Sequence, residues 1–152
     1  MTSITTRPAT LADLDVVATL FDAYRQFYEQ PSDLALARRY ITERFQKNES
    51  VLIVAADSTG TLIGFTQLYP TFCSVRAAHT FVLYDLFVTP AARGTGAGRA
   101  LMLAAEAHAR NEGAARMELS TARTNLIGQS LYESLGWERD ITFLVYGRNL
   151  RE

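Results

Sequence analysis

The chain has 152 residues, 48% of them hydrophobic and 20% charged, with a net charge of -1. These values fit a single globular domain over residues 1–152 and exclude a disordered chain, and the near-neutral balance lacks the basic excess of a nucleic-acid module. One cysteine allows no internal disulfide, no apolar run approaches the roughly 20 residues needed to span a bilayer, and residues 1–9 lack the basic and apolar regions of a signal peptide. The expectation is a cytoplasmic enzyme or binding domain with no membrane or nucleic-acid partner.

Residues 4–7 read as a short strand. Thr10-Leu11-Ala12-Asp13 fits a capping box, with the threonine hydroxyl taking a helix-start amide and Asp13 reaching back. Leu14, Val17, Ala18, Phe21, Tyr24 and Tyr28 follow at helical spacing until Gln30-Pro31-Ser32 breaks the run. Ser32 is the expected cap of a second helix, with Leu34, Ala37, Ile41 and Phe45 as its buried stripe. Residues 51–55 form an apolar strand, 57–60 a turn, and 62–69 the partner strand of a hairpin. Residues 81–88 are strongly β-prone, with Asp85 as their sole charge. A glycine-rich loop over 94–98 leads into an Ala-rich helix over 100–111, and a strand follows at 117–120. Thr124 is the expected cap of a helix running to Leu135, stopped by Gly136, and residues 141–146 read as a final strand. The order β-α-α-β-β-β-α-β-α-β argues for an α+β architecture around one mixed, mostly antiparallel sheet flanked by helices.

The strongest local signal is Arg93-Gly94-Thr95-Gly96-Ala97-Gly98-Arg99, placed between a strand and a helix. Glycines let backbone approach a ligand closely, and a helix start offers amides and the positive end of a dipole. Arg93 and Arg99 flank the loop with charge suited to a diphosphate. A Walker loop needs Gly-Lys-Ser/Thr, whereas Gly98 is followed by Arg99. A dinucleotide fold needs Gly-x-Gly-x-x-Gly early in a βαβ series, whereas Gly94, Gly96 and Gly98 alternate late in the chain.

Arg93-Gly94-Thr95-Gly96-Ala97-Gly98 resembles the Arg/Gln-x-x-Gly-x-Gly/Ala signature of the GCN5-related N-acetyltransferases, the GNAT family. A second block resembles the family's Asn…Tyr…Gly-Phe/Trp pattern: Asn125, Tyr132 seven residues on, then Leu135-Gly136-Trp137. The resemblance covers almost the whole chain and is closest to small members acting on polyamines, histone tails or other free amines. It implies acetyl-CoA as co-substrate, lying between two splayed parallel strands at 81–88 and 117–120. It implies backbone contacts from Leu86, Phe87 and Val88 to the pantetheine arm. The diphosphate would sit on Gly94, Thr95, Gly96, Ala97, Gly98 and Arg99, flanked by Arg93. Asn125 would bond the cofactor's arm or a bridging water. The acceptor would be a small-molecule or peptide amine, and similar small members form homodimers.

The implied reaction is direct attack of an amine on a thioester within a ternary complex. An amine of pKa about 10.4 costs about 4.6 kcal/mol to present neutral at pH 7. The departing thiolate, of pKa about 8.5, needs an acid, and Tyr132 is that acid by resemblance. Ile127, Leu131 and Leu135 form a row that can face a core, beside a more polar row of Asn125, Gln129 and Tyr132. Relatives place a glutamate on the first cleft strand directly before an aspartate, whereas this chain has Tyr84-Asp85. Asp85 is either the base, or an anchor for the incoming ammonium, or a structural residue held by a hydrogen bond or a salt bridge, for example to an arginine; Tyr84 is an alternative organiser of a water chain. His79 reads as a strand-entry residue, with lining of the acceptor pocket as its alternative, His108 as a residue that packs or points to solvent, and Cys73 as structural; no metal-ligand spacing is present. The rival readings are a non-catalytic acyl-CoA-binding module and a nucleotide-binding regulator.

Overall fold

The computed structural model describes residues 3–151. They fall into two compact units, one ending at Ser120 and the other beginning at Thr121.

The first unit holds one five-stranded sheet in chain order: β1 (Thr5–Pro8), β2 (Val51–Ala56), β3 (Leu62–Cys73), β4 (Ala78–Val88) and β5 (Arg116–Glu118). The first four pair antiparallel, and β4 pairs with β5 in parallel. Helices α1 (Leu14–Phe27) and α2 (Leu34–Gln46) lie between β1 and β2 in the chain, and α3 (Ala97–Asn111) lies between β4 and β5. The Leu14-Val17-Phe21 stripe of α1 and Ala37 and Ile41 of α2 pack on Leu52, Val54, Phe65 and Phe87 of the sheet. Leu52 and Val54 alternate along β2, as period-2 side chains sharing a face must, and that face continues across the strands through Phe65, the partner of Val54, and Phe87, the partner of Phe65. From α3, Leu101, Met102, Ala105 and Ala109 are buried, and Leu101 reaches the backbone of β3 at Gly64. A Cβ on Gly64 would lie 2.7 Å from the Phe87 carbonyl oxygen, so glycine is what lets β3 and β4 close up under α3.

The first helix starts as its local chemistry suggests, and the second is shifted by one residue. Thr10 and Asp13 form the expected capping box, and Asp13 also receives Arg7 at 2.6 Å. The Arg7 guanidinium holds the Asp13 carboxyl down at about 2. The cap of α2 is Asp33, whose side chain accepts from the Leu36 amide. Ser32 instead donates to the buried carboxylate of Asp22 at 2.7 Å, which also accepts the Asp33 amide. A buried carboxylate in the preceding helix outcompetes the local cap, because unsatisfied it would cost more than an exposed helix amide.

The second unit contains α4 (Leu126–Ser134), capped by Asn125 where the sequence suggested Thr124. Asn125 Oδ1 accepts from the Gly128 amide at 3.1 Å, and its Nδ2 donates to Thr121 at 3.0 Å. Gly128 permits this cap, since a Cβ there would lie 2.5 Å from the asparagine nitrogen. Gly136, at φ +90°, ends the turn after the helix as expected. No residue of α4 is buried, and Ile127 of the row expected to face a core is 87% exposed. Residues 141–146 form no strand. The Asp140 carboxylate accepts the amides of Thr142 and Phe143, which turns the chain at the point where a strand would have to begin. The β-branched and aromatic composition there expresses a preference that only a paired ladder realises.

Candidate active site

The site residues on β4 owe their placement to a defect in the sheet. Gln67 pairs with Asp85, but the next β3 residue, Leu68, pairs with Leu83, so Tyr84 is the extra residue of a β-bulge. Bulges bend a strand and increase its twist. The parallel ladder between β4 and β5 runs only from Thr80–Arg116 to Val82–Glu118. Beyond Val82, β4 has no ladder with β5, which ends at Glu118. Leu86, Phe87 and Val88 all lie on that stretch, bonded to β3 alone through Thr66, Phe65 and Gly64.

The glycine turn follows directly. Residues 90–92 form a short 3-10 turn, and the Arg93 Nε donates back to the Val88 carbonyl at 3.0 Å, with the guanidinium carbon 5.6 Å from the Phe87 ring centre. Gly94 and Gly96 have φ of +77° and +93°, and Gly96 is the cap of α3. The helix therefore starts at Ala97, inside the motif rather than at residue 100. A left-handed cap allows only glycine at low cost. Thr95 and Arg99 are exposed, Ala97 is buried and Gly98 is half-buried. Helix geometry leaves the first amides, such as those of Ala97 and Gly98, without intrahelical acceptors.

Asp85 is only 3% exposed, yet it forms no ion pair among the described residues. Of the structural alternatives, the salt bridge to an arginine is not formed among the described residues, whereas the hydrogen bond is. Gln67 Nε2 donates to its Oδ2, and the amide is oriented by Ser50, whose hydroxyl donates to Gln67 Oε1 at 2.8 Å. The backbone carbonyl of Asp85 accepts from Thr66 at 2.7 Å. Burial pushes the carboxyl up to about 6, against the opposing pull of its bonds from Gln67 and Tyr24.

A layer of tyrosines surrounds it. The Tyr24 hydroxyl donates to the Tyr84 carbonyl at 3.1 Å, satisfying a group that the bulge took out of the ladder. Tyr24 packs edge-on to Tyr28 at 5.1 Å, Tyr69 packs on Tyr84 at 5.6 Å, and the Tyr40 and Tyr69 hydroxyls meet at 2.6 Å. Burial, and then the Asp85 charge, raise the Tyr24 and Tyr28 phenols above their ordinary range, so both stay neutral. Sequence reasoning missed Ser50, Gln67, Tyr40 and Tyr69. One signal was legible: Gln67 interrupts an otherwise apolar strand, and such a residue needs a partner.

In the second unit, Asn125 is the cap of α4, and half-buried Tyr132 lies seven residues on, in the row that contains Gln129. His79 is the second residue of β4, at the strand entry, and both it and His108 pack against Phe81. No group of residues able to hold a metal occurs among those described.

A family model described as Acetyltransferase (GNAT) family matches residues 17–137. The chain is 44% identical over 144 residues, 95% of its length and 96% of the relative's, to an uncharacterized N-acetyltransferase, YhfO, of Bacillus subtilis (strain 168). The crystal structure of a probable acetyltransferase superposes with a TM-score of 0.90 at 34% identity, covering 99% of each chain. An aminoglycoside N-acetyltransferase crystallised with CoA, AAC(6')-Iy, shares the fold at a TM-score of 0.79 and 20% identity, over 97% and 96% of the two chains. The chain belongs to the GNAT family of acetyltransferases, whose co-substrate is acetyl-CoA.

Proposed function

We propose that this protein moves the acetyl group of acetyl-CoA directly to a primary amine, with both substrates bound together. The observation that carries this reading is the run from the bulge at Tyr84 to the cap at Gly96. It joins a strand segment unpaired by β5 to a left-handed glycine turn and a helix start. An unladdered strand suits an amide-rich arm, and a helix start suits a diphosphate. Leu86, Phe87 and Val88 are assigned to the arm, and Gly94 to Arg99 with Arg93 to the diphosphate. Asn125 is assigned to the arm or a bridging water, through the Nδ2 hydrogen that its bond to Thr121 leaves over.

Asp85 is the base. At pH 7 a carboxyl of pKa about 6 is mostly ionised, and it is far closer to a useful proton acceptor than an ordinary aspartate. Its gap to a free amine of pKa about 10.4 is about 6 kcal/mol, and desolvation of the ion pair narrows this, because a low-dielectric site favours the neutral pair. Nitrogen then attacks the thioester carbonyl, and a β4 amide near Phe87 is the proposed donor to the oxyanion. Tyr132 protonates the departing thiolate. This assignment draws on its place in the Asn125–Gln129–Tyr132 row and on the family resemblance. Residues 1–152 are read as a single N-acetyltransferase domain, and the protein as a cytoplasmic homodimer, in keeping with the resemblance and with a single cysteine.

The test is incubation of the purified protein with acetyl-CoA and a panel of primary amines, followed by thiol release and product mass. Acetylated amine formed at the rate of thiol release supports the proposal. Acetyl-CoA binding without turnover of any amine makes the chain an acyl-CoA-binding module, and binding of ATP or NAD in its place overturns the reading altogether.

A further inference from the structure

Asp85 is a buried carboxylate whose neighbours supply hydrogen bonds but no positive charge. Gln67 and Tyr24 are neutral, and the nearest tyrosine phenols are held protonated. Of the cations beside the tyrosine layer, Arg44 lies over the Tyr40 ring and is already paired with Glu43 and Glu49, and Arg93 lies over the Phe27 and Phe87 rings with its Nε on the Val88 carbonyl. A buried anion in that state is costly unless a cation arrives from outside. The exposed surface around it is aromatic. Tyr28 and Tyr84 are large exposed rings, each stacked edge-on to a less exposed tyrosine, Tyr24 and Tyr69 respectively. The Tyr24–Tyr84 hydrogen bond ties the two pairs together. Ring faces carry negative potential and hold cations that retain little water. The bulge is what brings these features to one place, because it lets the consecutive side chains of Tyr84 and Asp85 meet Tyr69 and Gln67, which lie on the same face of β3.

We propose that the acceptor is recognised as a cation on a hydrophobic body. Its ammonium pairs with Asp85, and its alkyl or aryl framework lies on Tyr28 and Tyr84. This rests on the acetyltransferase reading and narrows it. Alkyl monoamines, diamines and arylalkylamines fit, whereas α-amino acids are disfavoured, because Asp85 faces their carboxylate and the nearby Arg44 is already paired.

The experiment uses a cation that cannot be acetylated. Benzyltrimethylammonium is titrated into the wild-type protein by calorimetry, with its uncharged isostere neopentylbenzene as the comparison. The expected result is binding at least tenfold tighter for the cation, and competition with a primary amine but not with acetyl-CoA in the acetylation assay. Tyr84→Leu and Tyr28→Leu should each weaken the cation about two- to fivefold, and Asp85→Asn should weaken it at least tenfold. Equal binding of cation and isostere overturns the proposal, as does acetylation of glycine as fast as of phenethylamine. Both readouts use the wild-type chain, so neither depends on a variant folding. Failure of the acetyltransferase reading appears separately, as absence of a thermal shift with acetyl-CoA or as binding of acetyl-CoA with no turnover of any amine.

Discussion

Asp85→Asn should stabilise the protein at alkaline pH relative to acid, by an amount that follows from burial. The carboxyl titrates at about 6 in the folded chain against 3.8 when unfolded. At about 1.36 kcal/mol per pH unit, that difference of 2.2 makes the ionised folded state about 3 kcal/mol less stable than the protonated one. The sign follows from proton counting. Between pH 3.8 and 6 the folded state holds the proton more tightly than the unfolded state, so stability falls as pH rises through this window and then levels off. About 1 kcal/mol is already lost at pH 4.5, leaving about 2 kcal/mol between pH 4.5 and pH 8. Asparagine keeps the acceptor for Gln67 and removes the charge, but its own amide protons bring a penalty of their own. That penalty is the same at both pH values, so the difference between them isolates the carboxylate. Urea melts of both proteins at pH 4.5 and pH 8 measure it. The variant should gain about 2 kcal/mol on wild type between the two. An equal effect at both values would refute the argument, and an alkaline loss would show that an unidentified cation pairs with Asp85. A residue that costs stability yet is retained in a buried strand is what a functional site looks like.

The same carboxyl sets the pH dependence of the reaction. kcat/KM should rise through pH about 6 in wild type, and Asp85→Asn should lose turnover at pH 7 and recover part of it at high pH, where more acceptor arrives neutral. Tyr132→Phe should lower kcat by about a hundredfold and leave acetyl-CoA affinity unchanged, as read by initial rates and calorimetry; a near wild-type rate makes Tyr132 a packing residue. Saturation a hundredfold above its dissociation constant should let acetyl-CoA stabilise wild type by about 2.7 kcal/mol. Gly96→Val should abolish that shift and cost about 1–2 kcal/mol by itself, because its φ of +93° excludes a branched side chain although no atom crowds the position. Gly64→Ala should destabilise by about 1–3 kcal/mol in denaturant melts, since its methyl would press on the Phe87 carbonyl oxygen at 2.7 Å. A neutral result there would mean that β3 and β4 can move apart.

What the sequence determined on its own is local. The capping box at Thr10 and Asp13, the buried stripe of α1, the turn at Asp57 to Gly60 and the glycine stop at Gly136 each depend on residues a few positions apart. The physics of helix starts and positive φ therefore reads directly from neighbours. The sole charge on the 81–88 strand also marked Asp85 before any fold was known. The tertiary structure decided the rest. The bulge at Tyr84 exists only in the register between two strands, and no property of Tyr84 itself announces it. Gln67 reaches Asp85 across 18 residues and Tyr24 reaches the Tyr84 carbonyl across 60. Asp22 took Ser32 away from the helix it was suited to cap. Residues 141–146 show the converse, a strand preference without a strand. A backbone or carboxylate settles on whichever partner lowers its free energy most once water is excluded, and that partner is identified only when distant segments have come together.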